Sequence, residues 1–199
     1  IPIYGTPLTL GLVGNKLKEH SLYNQAKLNV VNAGDSIRLG CMDVKFIHVN
    51  HSIPDAVAFA IHTPAGTIMH TGDFKIDCTP ITGDMIDLSS IAKEGDNGVL
   101  ALLAESTNAE RSGYTPTERK VSDSLDSLFK RAENYRIIIA TFASNVNRVQ
   151  QIINCAEKYG RKVAFSGRSM VNYMDVAGKL GYLTIPENIL IDIDMLDKY

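Results

Sequence analysis

The chain has 199 residues, 45% of them hydrophobic and 21% charged, with a formal net charge of −2 and no Trp. That balance fits a folded globular chain and excludes a generic basic coat for nucleic acid, though not a local basic groove. No apolar run reaches the roughly 18 residues a membrane span needs, so no membrane partner is expected. Three widely spaced cysteines, Cys41, Cys78 and Cys155, without a CxxC pair, predict a reducing, cytoplasmic compartment. No basic and apolar leader is expected at the start. The ends, Ile1-Pro2 and Asp197-Lys198-Tyr199, are expected to be cuts from something longer.

In chain order, Leu12 to Leu28 carries a helical pattern, and Asn32-Ala33-Gly34-Asp35 is a turn. Ser36–Leu39 predicts a short strand, and the alternation around Val44 and Phe46 predicts a second that ends near His51. Val57–His62 and Thr67–His70 flank Pro64-Ala65-Gly66 and read as a hairpin. These strands imply an antiparallel layer of a sandwich-like or α+β domain.

The pattern changes near residue 100. The apolar run Val99–Ala104 predicts a buried strand. Thr115-Pro116-Thr117-Glu118 predicts a helix capped by Thr115 and closed by Glu118, burying Val121, Leu125, Leu128 and Phe129. Strands at Ile137–Thr141, Lys162–Phe165 and Ile189–Ile191 alternate with helices over 146–158 and 170–180, which predicts crossovers and a mostly parallel sheet. A boundary falls within 106–116, giving portions 1–112 and 113–199.

Candidate chemistry sits at strand ends. His51 follows one strand and Asp73 another, and neutral imidazole and carboxylate are metal donors when held rigidly. A carboxylate can also bridge two metals. The competing reading makes them an ordinary polar loop residue and a Gly-Asp turn. His70 and His48 would orient a ligand by hydrogen bond or be plain surface histidines. Asp55, after Pro54, could hold His51 or a neighbour in place. Glu105 ends an apolar strand, where an acid suits a cleft or serves as a cap. Ser144 and Asn145, then Arg168 and Ser169, open two helices. Hydroxyls, an amide and an arginine at helix N-termini suit a phosphate, and capping by Ser144 and Ser169 explains them equally well.

Five segments in order, Asn50-His51-Ser52-Ile53-Pro54-Asp55, His70-Thr71-Gly72-Asp73-Phe74-Lys75, Glu105-Ser106-Thr107-Asn108-Ala109-Glu110, Thr141-Phe142-Ala143-Ser144-Asn145 and Gly167-Arg168-Ser169-Met170, resemble bacterial ribonuclease J. That family is a metallo-β-lactamase-fold nuclease with an inserted β-CASP domain. The resemblance implies an α/β architecture, with a metallo-β-lactamase-like sandwich portion followed by a β-CASP portion, both incomplete. It implies two zinc ions, with manganese as the alternative, held in part by His51 and by a bridging Asp73. Glu105 resembles the acidic β-CASP marker and, with Asp73, would be catalytic. Ser144, Asn145, Arg168 and Ser169 would bind substrate, and His70 and Asp55 would support the ligands.

The implied activity is hydrolysis of RNA phosphodiesters by a metal-activated hydroxide, 5'-to-3' and internally. The implied substrate is single-stranded RNA with a 5'-monophosphate. A second copy or a related ribonuclease subunit is the implied protein partner. The family's His-x-His-x-Asp-His motif would precede residue 1 and its last ligands would follow residue 199. The segment by itself is therefore expected to be inactive. The alternatives are a hydrolase of small esters or amides on the same fold, and an RNA-binding fragment without catalysis. A general α/β nucleotide-binding protein is weakened by the lack of a glycine-rich phosphate fingerprint.

Overall fold

A computed structural model describes residues 1–198. The chain divides into two compact units. The first contains Ile1–His51 and Asp55–Pro116, and the second contains Ser52–Pro54 and the described residues from Thr117 onward. The final position of the predicted 113–199 portion, Tyr199, lies outside the described residues.

The first unit begins with β1 (Pro2–Gly5), α1 (Pro7–Glu19), a 3-10 turn at Tyr23–Gln25 and β2 (Lys27–Val30), which pairs in parallel with β1. The helix expected over Leu12–Leu28 therefore starts and ends earlier. Pro7 in the first turn sets its start, since proline suits a position whose N–H has no partner. Leu28, counted with the helix, pairs with Ile3 instead.

The main sheet has the order β3 (Ser36–Leu39), β4 (Met42–His48), β5 (Val57–Thr63), β6 (Gly66–His70) and β7 (Val99–Leu103). The first three pairings are antiparallel and β6–β7 is parallel, reached through α2 (Leu88–Asn97). The sheet is mixed. Strand alternation places Val44, Phe46, Val57 and Phe59 on one face with Val31. Ile47, Val49, Ala58, Ala60 and Met69 form the other, under Ile86 and Ile91.

On that second face α2 sets a buried acid over the sheet. Glu94 is 4% exposed and meets Lys45 Nζ at 3.3 Å and His62 Nε2 at 2.8 Å. Strand β7 was expected to be buried, yet all five of its residues are exposed, Leu100 and Leu102 at 64% each. Among the described residues it is the sheet's edge, paired with β6, and the buried cluster under α2 is built from β4, β5 and β6.

The second unit holds α3 (Glu118–Arg131), α4 (Val146–Lys158) and α5 (Arg168–Lys179), with a 3-10 segment at Ile193–Lys198. Leu125 and Phe129 of α3 bury against Cys155 and Ala156 of α4, with Ile137 and Val163 beside them. Leu128, expected inside, is 50% exposed.

Helix α3 is capped by Thr117, whose Oγ1 accepts the Arg119 N–H, not by Thr115. The Glu118 carboxylate engages Arg148 at 3.0 Å. Among the described residues the expected mostly parallel sheet of this unit is reduced to one parallel bridge, Val163↔Leu190. An apolar run signals burial, whereas a ladder needs consecutive backbone partners, and Ile138 at 90% exposure lacks even the burial. Among the described residues, no helix is long and apolar enough to cross a membrane.

Candidate functional site

Strand direction gathers the first unit's chemistry. Because β5 runs antiparallel to both β4 and β6, and β7 parallel to β6, the strands β4, β6 and β7 point the same way. Their carboxyl ends therefore lie along one edge of the sheet. His51 follows β4, Asp73 follows β6 and Glu105 follows β7. Carboxyl-end edges are where α/β sheets present ligand-binding loops.

Local contacts close that edge. The isolated bridge Asn50↔Lys75, with Lys75 N–H donating to Asn50 O at 2.8 Å, brings the exit of β4 beside the exit of β6. His51 Nε2 then lies 3.8 Å from Asp73 Oδ2. Asn50 itself is buried. Its amide donates to Asp84 O at 2.8 Å and its carbonyl accepts the Ile86 N–H at 2.8 Å. A buried amide satisfied at both ends pins the loop that carries His51. Sequence reasoning missed Asn50 as a support, and its position next to His51 was the available signal.

Gly72 makes the turn into Asp73. Its φ is +60°, and a Cβ there would stand 2.7 Å from Val57 O. Only glycine fits that combination without a shift. His70 Nδ1 accepts the Gly72 N–H at 3.0 Å, and its ring meets Phe59 edge-on at 6.0 Å. His70 thus braces the turn.

Asp55 reaches the start of α1. Its Oδ2 accepts the Leu8 N–H at 2.8 Å, at the amino end of α1. A carboxylate there satisfies an orphan donor and complements the helix dipole. His48 Nε2 donates to Asp84 O at 3.1 Å, in the tautomer a carbonyl acceptor requires.

Glu105 is partly buried and fixed from two sides. Its backbone N–H donates to Thr71 Oγ1 at 2.9 Å, and its Oε1 accepts the Thr107 N–H at 2.8 Å. Hydrogen bonds from Thr107, side chain first and backbone second, hold the carboxyl below the usual glutamate range, with a smaller pull from the His51 charge. Glu105 is therefore a carboxylate at neutral pH. Among the described residues, no group of three or more His, Cys, Asp or Glu could hold a metal by itself.

In the second unit, the caps are not the predicted serines. Asn145 caps α4, its Oδ1 accepting the Arg148 N–H at 3.0 Å, and Gly167 caps α5 with φ +95°. Ser144 precedes the cap and Ser169 lies inside α5. Arg168 opens α5 and is exposed, whereas the Arg148 guanidinium is committed to both Glu118 oxygens.

Comparison with known proteins gives this arrangement a class. Residues 134–199 match the family described as ribonuclease J, β-CASP domain. Over its whole length the chain is 45% identical to ribonuclease J of Helicobacter pylori strain J99 and 42% identical to ribonuclease J2 of Bacillus subtilis strain 168. The chain is homologous to bacterial ribonuclease J. It spans 29% of the length of the first of those relatives and 36% of the second. A crystal structure of a protein of unknown function from Enterococcus faecalis V583 superposes over the entire chain and 51% of its own, with a TM-score of 0.70 at 19% identity, a likeness of fold alone.

Proposed function

We propose that this chain is the middle of a metal-dependent ribonuclease that hydrolyses RNA phosphodiesters, both 5'-to-3' from a monophosphorylated end and internally, in RNA processing and decay. In this reading 1–112 is the metallo-β-lactamase-like portion and 113–199 the β-CASP portion. The observation that carries it is the shared edge, where His51 and Asp73 converge to 3.8 Å with Glu105 anchored beside them.

His51 and Asp73 fit a metal as two of its donors, imidazole nitrogen and carboxylate oxygen, and do not complete a ligand set between them. Zinc suits the pair and manganese is compatible. Such ions, when bound, supply Lewis acidity and charge compensation for an in-line displacement at phosphorus. The chain's own residues orient the rest. Gly72 and His70 aim Asp73, while Asn50 anchors the His51 loop. Glu105, held below the usual glutamate range by Thr107, is placed to accept a hydrogen bond or proton. Arg168, with Ser144, Asn145 and Ser169, meets the phosphodiester backbone, Arg168 as a charged fork and the others as neutral donors.

The substrate is single-stranded RNA, the location cytoplasmic, and the assembly a homodimer or a pair with a related ribonuclease subunit. The test uses the full-length protein, comparing degradation of 5'-monophosphorylated RNA with small-ester turnover. Loss of RNA cleavage in Asp73→Asn and His51→Ala supports the reading. Ester turnover without RNA cleavage refutes it. For the chain by itself, the two-donor set favours RNA binding without cleavage.

A further inference from the structure

We infer that Thr71 is the residue that couples the two acids of the site, positioning Asp73 and Glu105 through one hydroxyl. The inference rests on the ribonuclease reading above. The last residue pair of the β6–β7 ladder is His70↔Leu103, and the Thr71 N–H extends the pairing once more, to Leu103 O at 3.0 Å. Beyond that point each strand turns away, and the Glu105 N–H needs another acceptor.

Thr71 Oγ1 is that acceptor, at 2.9 Å. The same hydroxyl donates to Gly72 O at 2.8 Å. A hydroxyl carries one donor and two acceptor sites, so it can serve both neighbours at once. One bond fixes the peptide from which the Glu105 carboxylate departs. The other fixes the turn that delivers Asp73 toward His51.

The geometry sets Thr71 apart from a generic β-branched strand residue. It is the first residue past β6, and its side chain replaces a ladder carbonyl at the place where the chemistry begins. Removing the hydroxyl frees Glu105 and the Gly72 turn together. Misplacement of catalytic groups by a fraction of an ångström costs turnover more than ground-state binding.

The experiment pairs Thr71→Val, which keeps the branched shape and deletes the hydroxyl, with Thr71→Ser, which keeps the hydroxyl and deletes the methyl. Three quantities are measured in the full-length protein: kcat and KM on 5'-monophosphorylated RNA, zinc affinity by chelator competition, and hydrogen exchange of the Glu105 amide. Thr71→Val is expected to lower kcat by about tenfold or more with KM nearly unchanged, to weaken zinc binding, and to lose protection at Glu105. Thr71→Ser is expected to restore all three.

Wild-type kcat in Thr71→Val, or a Thr71→Ser variant as impaired as Thr71→Val, overturns the inference. If Thr71→Val unfolds, Thr71→Ser decides, because a purely packing role predicts damage from losing the methyl. Asp73→Asn is run alongside. If it leaves RNA cleavage intact, the ribonuclease reading fails. If it abolishes cleavage while Thr71→Val does not reduce it, only the Thr71 inference fails.

Discussion

Glu94 offers the sharpest test of the packing logic, because it is a buried carboxylate whose partners are less buried than it is. Its side chain is 5% exposed, against 26% for Lys45 and 40% for His62. Glu94→Gln keeps the shape and removes the charge. A charge-assisted hydrogen bond contributes about 1.5–3 kcal/mol and a neutral one about 0.5–1.5 kcal/mol, so the swap costs about 1 kcal/mol per bond. Partial exposure of Lys45 and His62 screens both bonds, which leaves about 1–2 kcal/mol in all. Lys45→Met should cost more, about 2–4 kcal/mol, because it strands a buried carboxylate with only His62 beside it.

The pH dependence follows from the same group. Burial pushes the Glu94 carboxyl up, but hydrogen bonds from His62 and Lys45 outweigh it and leave the group below its ordinary value of 4.5. A depressed carboxyl contributes stability that is present above that ordinary value and is lost as pH falls through the folded one. Glu94→Gln removes this contribution, so the variant's deficit should shrink on acidification. Equilibrium urea unfolding at neutral pH and in the acid range reads both effects from the midpoint at constant slope. A neutral Glu94→Gln, a Lys45→Met milder than Glu94→Gln, or a deficit independent of pH would refute the reasoning.

Gly72→Ala combines a left-handed φ with a backbone clash, and should destabilise the first unit by about 2–4 kcal/mol and weaken zinc binding in the full-length protein. Unchanged values in urea titration and chelator competition would count against a tight turn. Asp55→Ala should cost about 1–2 kcal/mol through the amino end of α1 while leaving RNA cleavage intact in the full-length protein, and a loss of cleavage at unchanged stability would return Asp55 to the site. Metal analysis of the purified chain should find well under one zinc per chain, since His51 and Asp73 supply two donors only; near two zinc ions per chain would overturn this.

What the sequence could reveal depended on range. Alternation located the strands that end before His51 and Asp73, because a two-residue period is written locally along β4, β5 and β6. The shared edge was not local, since it follows from β5 pairing antiparallel to both neighbours. The contact Asp55 makes with α1 was not local either. The partner, Leu8 N–H, lies 47 residues away, and no spacing rule reaches that far. The run Val99–Ala104 read as buried because apolarity does not say how many neighbours a strand has. Thr71 carried no signal at all, since its role exists only once the β6–β7 register is known.

The edge also explains why two acids so placed can differ in role. Glu105 is tied twice, by its amide to Thr71 and by its carboxylate to Thr107, so its position is set before any ligand arrives. Asp73 is 76% exposed, and its orientation depends on the Gly72 turn and on His51. Under the proposed reading, a carboxylate that joins a ligand shell benefits from adjustable approach, whereas one that accepts a proton must already stand in line. Thr71 touches both, through the turn on one side and the amide on the other. A change at that hydroxyl should therefore disturb the spacing between the acids before it disturbs either acid's own chemistry.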